Sequence, residues 1–276
     1  MATGLLVFGT GIQAAGQFTV EARGAVEQCD VIHYLVADDV TRFYLESLNQ
    51  NLVSLHDCYA TDKPRMQSYI EMVERVTGDV ETGKLVGMAL YGHPGVFAYP
   101  AHEAIRRVRA SGHYARMIPG VSAEDCLFAD LGVDPAWAGC QSFEATDFLL
   151  FGREFDPRSS LILWQVGVIG DTSFQAKGYN YRKGIEILAD RLISKYGRDH
   201  KVIVYEASHY PIYPPRRDVV LLSELATTRL TPESTLYVPP NGAAKPDPNM
   251  LELLGITDVE VARIKLRVGQ STLLTA

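Results

Sequence analysis

The sequence predicts an α/β protein whose first domain closes near Pro119. Two observations carry that reading: short unbroken apolar runs alternate with amphipathic helical stretches, and the runs end in glycine or proline turns. Buried parallel strands read as continuous Val/Ile/Leu segments, and alternating strands and helices require crossover connections, so the pattern calls for a mostly parallel sheet.

Gly4 to Phe8 is the first strand and runs into Gly9-Thr10-Gly11. Thr19 is a good N-cap for a helix carrying Val20, Ala22, Ala25 and Val26 on one face, and Asp30 to Val36 is the second strand, which completes a β-α-β unit. The GTG is no dinucleotide fingerprint, because Gly16 comes too late for GxGxxG. A helix over Asp38 to Leu48, a strand at Leu52 to Leu55 and a longer helix over Met66 to Val80 follow. The strand Lys84 to Leu90 then ends in Tyr91-Gly92-His93-Pro94-Gly95, before a helix that starts near Pro100 and runs over His102 to Ala110. Bare backbone and fixed φ at the carboxyl end of a buried strand mark the place where open α/β folds hold ligands, although Gly/Pro turns also serve ordinary connections.

A strand at Ala115 to Ile118 leads through Pro119-Gly120-Val121-Ser122 into a helix over Ala123 to Leu131, with Ser122 and Asp125 at capping-box spacing. Leu161 to Val166, Val202 to Tyr205 and Leu236 to Val238 read as strands of a second domain over 120–240, with a helix at Ile185 to Lys195. Residues 241–276 read as a linker, a short helix at Met250 to Leu254 and a tail.

Composition narrows the function. A net charge of −7 with no long basic cluster argues against nucleic-acid binding. Cys29, Cys58, Cys126 and Cys140 show neither CxxC pairing nor a disulfide framework, and no metal site is expected. Without a leader at Met1 or an apolar run of membrane-spanning length, the expectation is a soluble cytoplasmic protein that does not engage membranes.

One stretch is dense in chemistry: Tyr59, Lys63, Pro64, Arg65 and Tyr69. Pro64 starts a helix on which Arg65 and Tyr69 share a face, and a guanidinium beside a phenol lowers its pKa from about 10, which makes a tyrosine a base. A surface Arg stacked on a Tyr has the same spacing. The N-terminus at Ser122 and Ala123 suits either an anionic group or simple capping, and Gln165, polar at the end of an apolar strand, needs partners that an adenine or ribose would supply.

GTG after the first strand, YGHPGVF after a middle strand, PGVSAEDCLFADLGVDP, a strand ending in QVG, and STLYVPP together resemble the tetrapyrrole (corrin/porphyrin) methylase superfamily over about residues 3–240. Within it, YGHPGVF, FEATDFLL at Phe143 to Leu150 and the Tyr59, Arg65, Tyr69 set look like the borosin peptide backbone α-N-methyltransferases. The resemblance implies two α/β domains with an S-adenosyl-L-methionine cleft between them, and catalytic Tyr59, Arg65 and Tyr69. It also implies cofactor contacts from Tyr91, His93, Val96, Phe97, Ser122, Ala123, Gln165, Tyr205, Ala207, Ser234 and Thr235. The expected activity is iterative methylation of backbone amide nitrogens of a ribosomally made precursor peptide. The short tail at Val268 to Ala276 suggests a split system with the precursor in trans, acting as a homodimer or a heterotetramer with two precursors. The alternative is a small-molecule methyltransferase of the corrin/porphyrin type. Against it, the first loop reads Gly9-Thr10-Gly11-Ile12-Gln13-Ala14 and departs from the GxGDPxL of that branch.

Overall fold

The structure is a computed structural model that describes residues 3–171, 173 and 182–267. Among them the chain forms two compact units, which divide between Cys126 and Leu127, with Ala207–Pro214 belonging to the first.

The first unit is a five-stranded, all-parallel sheet of β1 (Gly4–Gly9), β2 (Val31–Leu35), β3 (Leu52–Ser54), β4 (Leu85–Leu90) and β5 (Tyr114–Ile118), in the order β3-β2-β4-β1-β5. The connections are α1 (Val20–Gln28), α2 (Asp39–Leu48), α3 (Arg65–Glu81) and α4 (Tyr99–Ala110). Thr19 caps α1 through Ala22 N, and Asp38 caps α2 through Thr41 N. Two cores flank the sheet. Leu5, Val7, Val86 and Met88 face α3 and α4, while Phe8, Ile32 and Ala89 pack with Ala22, Val26 and Leu45 of α1 and α2. β1 and β4 are neighbours, yet their chains leave to opposite faces, which is where an open sheet forms a crevice at its carboxyl ends. The turn expected to bind a ligand stands there.

The second unit takes up α5 (Ala123–Leu131) partway and adds α6 (Pro135–Ala138), β6 (Cys140–Glu144), α7 (Ala145–Leu150), β7 (Ser160–Trp164), α8 (Arg182–Tyr196), β8 (Lys201–Glu206), β9 (Arg216–Leu221) and β10 (Thr235–Val238). Its sheet is mixed, in the order β6-β7-β10-β8-β9: β6 runs parallel to β7, whereas β10 is antiparallel to β7 and β8, and β9 to β8. Phe148 of α7 and Ile185, Leu188 and Leu192 of α8 bury against Leu161, Leu163, Val202, Val204 and Leu236. After the sheet come α9 (Pro248–Leu254), capped by Asp247, and α10 (Asp258–Arg267).

Some elements differ from expectation. β7 stops at Trp164, because Gln165 adopts left-handed backbone (φ 59°) that cannot continue a strand. α4 begins at Tyr99 with a proline in its first turn, where a missing N–H costs nothing. The tail Val268 to Ala276 lies outside the described residues.

Candidate functional site

At the crevice of the first unit, three glycines let three loops meet backbone to backbone. A Cβ on Gly9 would fall 2.2 Å from the Gly92 oxygen and 3.0 Å from Gly120 Cα, and one on Gly120 would fall 2.8 Å from the same oxygen. Gly11 and Gly92 donate to each other's carbonyls at 3.3 and 2.9 Å, so the loops after β1 and β4 are fused. On this base stand exposed side chains: Tyr91, Val96 and Phe97. Phe97 is held at φ 51°, a conformation uncommon for a bulky residue and concentrated at ligand sites. His93 Nδ1 accepts from Gly95 N at 2.9 Å, which in the neutral ring puts the proton on Nε2. The Tyr91 ring lies parallel to His209, 5.6 Å between centroids at 10°. Ala207, on the same segment of the chain, belongs to this unit too.

The Tyr59, Arg65, Tyr69 set is assembled from the turn after β3 and the first two turns of α3. Lys63 holds that turn by donating to Cys58 O at 2.7 Å and Glu71 Oε2 at 2.5 Å, with Asp62 at φ 64°. Tyr59 and Tyr69 meet edge to face, 6.5 Å apart at 80°, and share a side-chain hydrogen bond. On its other side Tyr69 stacks on Tyr99, 6.3 Å at 28°, the first residue of the helix that follows the β4 turn. Burial pushes the Tyr59 phenol well above its usual value; Tyr69 adds to the rise and Arg65 opposes it. Arg65 thus acts on Tyr59, where burial outweighs it, and Tyr59 is a neutral hydrogen-bond donor.

Ser122 and Asp125 form a reciprocal cap: Ser122 N and Oγ both donate to Asp125 Oδ2 at 2.7 Å, and Asp125 N donates back to Ser122 Oγ at 3.2 Å. The side chain of Ser122 is thus committed to the start of α5.

In the second unit, antiparallel β10 brings its first residues beside the ends of β7 and β8. Thr235 is in register with Tyr205, and Val166 N donates to Ser234 O at 3.1 Å, so Gln165, Tyr205, Ser234 and Thr235 share one sheet edge. Tyr205, Ser234 and Thr235 are buried. Tyr205 donates to Asp130 Oδ2 at 2.7 Å. Ser234 Oγ donates to Glu206 Oε1 at 2.5 Å and accepts from Thr231 N at 2.8 Å, while Thr231 Oγ1 and Arg216 Nη1 each reach the same carboxylate oxygen at 2.8 Å.

Tyr99, Gln17, His209, Glu206 and Asp130 were not singled out from sequence. Of these, Tyr99 stands just beyond YGHPGVF and Asp130 lies within PGVSAEDCLFADLGVDP, so those two carried a local signal. Among the described residues no cluster of His, Cys, Asp and Glu is arranged to hold a metal ion, and no helix is long and apolar enough to cross a membrane.

This architecture and these motifs have counterparts in known proteins. In fold the chain is similar to uroporphyrin-III C-methyltransferase from Thermus thermophilus (TM-score 0.60, 18% identity, 94% of this chain and 99% of that one). A cobalt precorrin-4 methyltransferase is equally similar (TM-score 0.60, 14% identity, 86% and 95%). In sequence it is 44% identical over 240 residues to a methyltransferase/ribosomally synthesized type III borosin cyclic peptide precursor of Anomoporia bombycina, covering 86% of this chain and 28% of that protein. It is 41% identical over 262 residues to the gymnopeptides precursor of Gymnopus fusipes (92% and 62%), and 39% identical over 240 residues to the omphalotin A precursor of Omphalotus olearius (86% and 57%), both also named as methyltransferases. The chain thus spans less than two thirds of the length of these relatives. The match at residues 4–209 to the tetrapyrrole (corrin/porphyrin) methylases takes in the whole parallel sheet of the first unit together with Gln165 and Tyr205, and the chain belongs to that family.

Proposed function

We propose that this methyltransferase uses S-adenosyl-L-methionine to methylate backbone amide nitrogens of a ribosomally made peptide presented in trans, repeatedly along the chain, as a homodimer. The observation that carries the reading is the Tyr59, Arg65, Tyr69 set, joined through Tyr99 to the helix that follows the glycine turn. The similarity to borosin precursors supports the peptide as substrate. Exposed Met250, Leu253 and Leu254 on α9 support an assembly contact.

The first-unit edge fits the donor by its chemistry. Aromatic faces, an imidazole N–H and glycine backbone suit a nucleoside with a polar tail, and the left-handed Phe97 is the kind of strain found where a ligand is clamped. Tyr91, His93, Val96, Phe97, Ser122, Ala123 and Ala207 of the first unit would hold it. When bound, it supplies a methyl group made electrophilic by a sulfonium.

The protein has to make an amide nitrogen reactive. Its lone pair is delocalised into the carbonyl, so attack requires loss of the N–H proton and a partner for the oxygen on which charge then develops. Tyr69 is assigned the proton, with the Arg65 guanidinium balancing the phenolate that accepts it. Tyr59, kept protonated by burial, donates to the carbonyl oxygen.

The test incubates the purified protein with donor and a borosin-type precursor peptide supplied in trans, and reads methyl increments by tandem mass spectrometry. Successive increments on backbone nitrogens are expected, with Tyr69→Phe slowing them by about a hundredfold or more. Methylation of a tetrapyrrole, with the peptide untouched, would replace this reading by the small-molecule one.

A further inference from the structure

The loop after β1 carries no residue assigned to the donor, yet every donor-assigned segment of the first unit is tied to it. Gly11 is bonded both ways to Gly92 of the β4 turn. Ala14 N donates at 2.8 Å to the carbonyl of His209, whose ring stacks on Tyr91. One side chain fixes the loop itself. Gln17 Oε1 accepts from both Ile12 N (2.9 Å) and Gln13 N (3.0 Å), and Gln17 Nε2 donates at 3.4 Å to Cys126 Sγ on α5, the helix that Ser122 caps. The fit is close: a Cβ on Gly11, which sits at φ 77°, would lie 2.5 Å from Gln17 Cβ. Ala15, between them, is left-handed at φ 54°. A loop with two residues at positive φ closes in this form only if its inward N–H groups find an acceptor, and Gln17 is that acceptor.

We propose that Gln17 is a positioning residue for the methyl-donor site: by binding Ile12 N and Gln13 N it sets the loop against which the β4 turn, the start of α5 and the 207–214 segment are registered. The inference rests on the donor reading above. The ligand class is an S-adenosyl nucleoside, and Gln17 acts on it through the loop rather than by touch.

S-adenosylhomocysteine is the probe, titrated calorimetrically into the full chain, its Gln17→Met and its Gln17→Glu. Methionine keeps the length of the side chain and loses the acceptor; glutamate keeps an oxygen for both N–H groups. The Met variant should bind about tenfold to hundredfold more weakly, as expected for two lost hydrogen bonds, while the Glu variant stays near wild type. At saturating donor the Met variant should keep its kcat and show the loss in KM, a split that general destabilisation does not produce. Hydrogen exchange over residues 10–17 without ligand should quicken in Gln17→Met alone. Equal probe affinity in Gln17→Met and wild type overturns the proposal, as does a Glu variant that fails as badly as the Met variant or unchanged exchange in Gln17→Met. If wild type binds no probe, the donor reading itself falls and this role falls with it.

Discussion

The two units each gather site residues at a sheet edge, but they offer them differently. In the first unit Tyr91, Val96 and Phe97 are 38%, 39% and 52% exposed on a base of fused glycine loops. In the second, Tyr205, Ser234 and Thr235 are 1%, 0% and 3% exposed, with Tyr205 and Ser234 bonded to carboxylates. The parallel sheet leaves its carboxyl edge to loops alone, whereas antiparallel β10 fills the edge of the mixed sheet with strand. The first edge therefore presents side chains to solvent, and the second presents backbone and Gln165. Truncation should separate stability from binding in opposite senses at the two edges.

The largest effect is expected at Ser234. Its hydroxyl is fully buried, donates to Glu206 and accepts from Thr231 N, so Ser234→Ala leaves a half-buried N–H and a carboxylate oxygen each short of a partner. The cost should be about 2 kcal/mol, read as a drop of several degrees in the thermal midpoint, with donor affinity unchanged because the Ser234 carbonyl remains. Loss of affinity without loss of stability would break the comparison. The mirror experiment is Tyr91→Ala. Removing an exposed ring should shift stability by no more than about 0.5 kcal/mol while weakening donor binding about tenfold, measured by thermal unfolding and calorimetry on the same samples.

The same contrast governs what the sequence revealed. Central strands β1, β2, β4, β7, β8 and β10 are buried on both faces and show themselves as apolar runs. β6 (CQSFE) and β9 (RRDVVL) are the edges of the mixed sheet; half-exposed and polar, they carry no such run and were not anticipated. The β4 turn was legible because glycine and proline declare backbone demands locally. The partners of Gln17, Glu206 and His209 were not, since loop closure and strand order bring them together from far along the chain. Gln165 stood out as a polar end to an apolar strand, but its left-handed backbone, which ends the strand, has no composition signal.

A smaller effect extends the comparison from the edges to the interiors. Among the described residues, His33 on β2 and His200 just before β8 hold their imidazoles below the ordinary pKa. Burial lowers both and outweighs what raises them, which is Asp79 for His33 and the Pro239 carbonyl, 3.0 Å away, for His200. His33 is the more confined. Its Nε2 lies 2.8 Å from Asp79 Oδ2, Lys84 Nζ lies 2.5 Å from Oδ1, and its Nδ1 is buried with no hydrogen-bond partner. The neutral ring therefore donates from Nε2, and protonation would add a second N–H with nothing to receive it. A folded pKa below the unfolded value of 6.5 means that the unfolded chain binds the proton more readily, so stability is complete above about pH 6.5 and falls as the pH drops through it, by at most about 1.4 kcal/mol per pH unit for one site. Asp79 does not confuse the window: burial raises its pKa, but Lys84 and His33 together hold it below the ordinary carboxylate range, so its contribution is lost only in more acid solution. His33→Gln retains an amide donor for Asp79 and removes the titration. Between about pH 7.5 and about pH 5.5 its thermal midpoint should decline less than that of wild type, with His200 left to supply the remaining slope. Equal slopes in the two proteins would show that the buried His33 imidazole contributes nothing to the acid sensitivity of the fold.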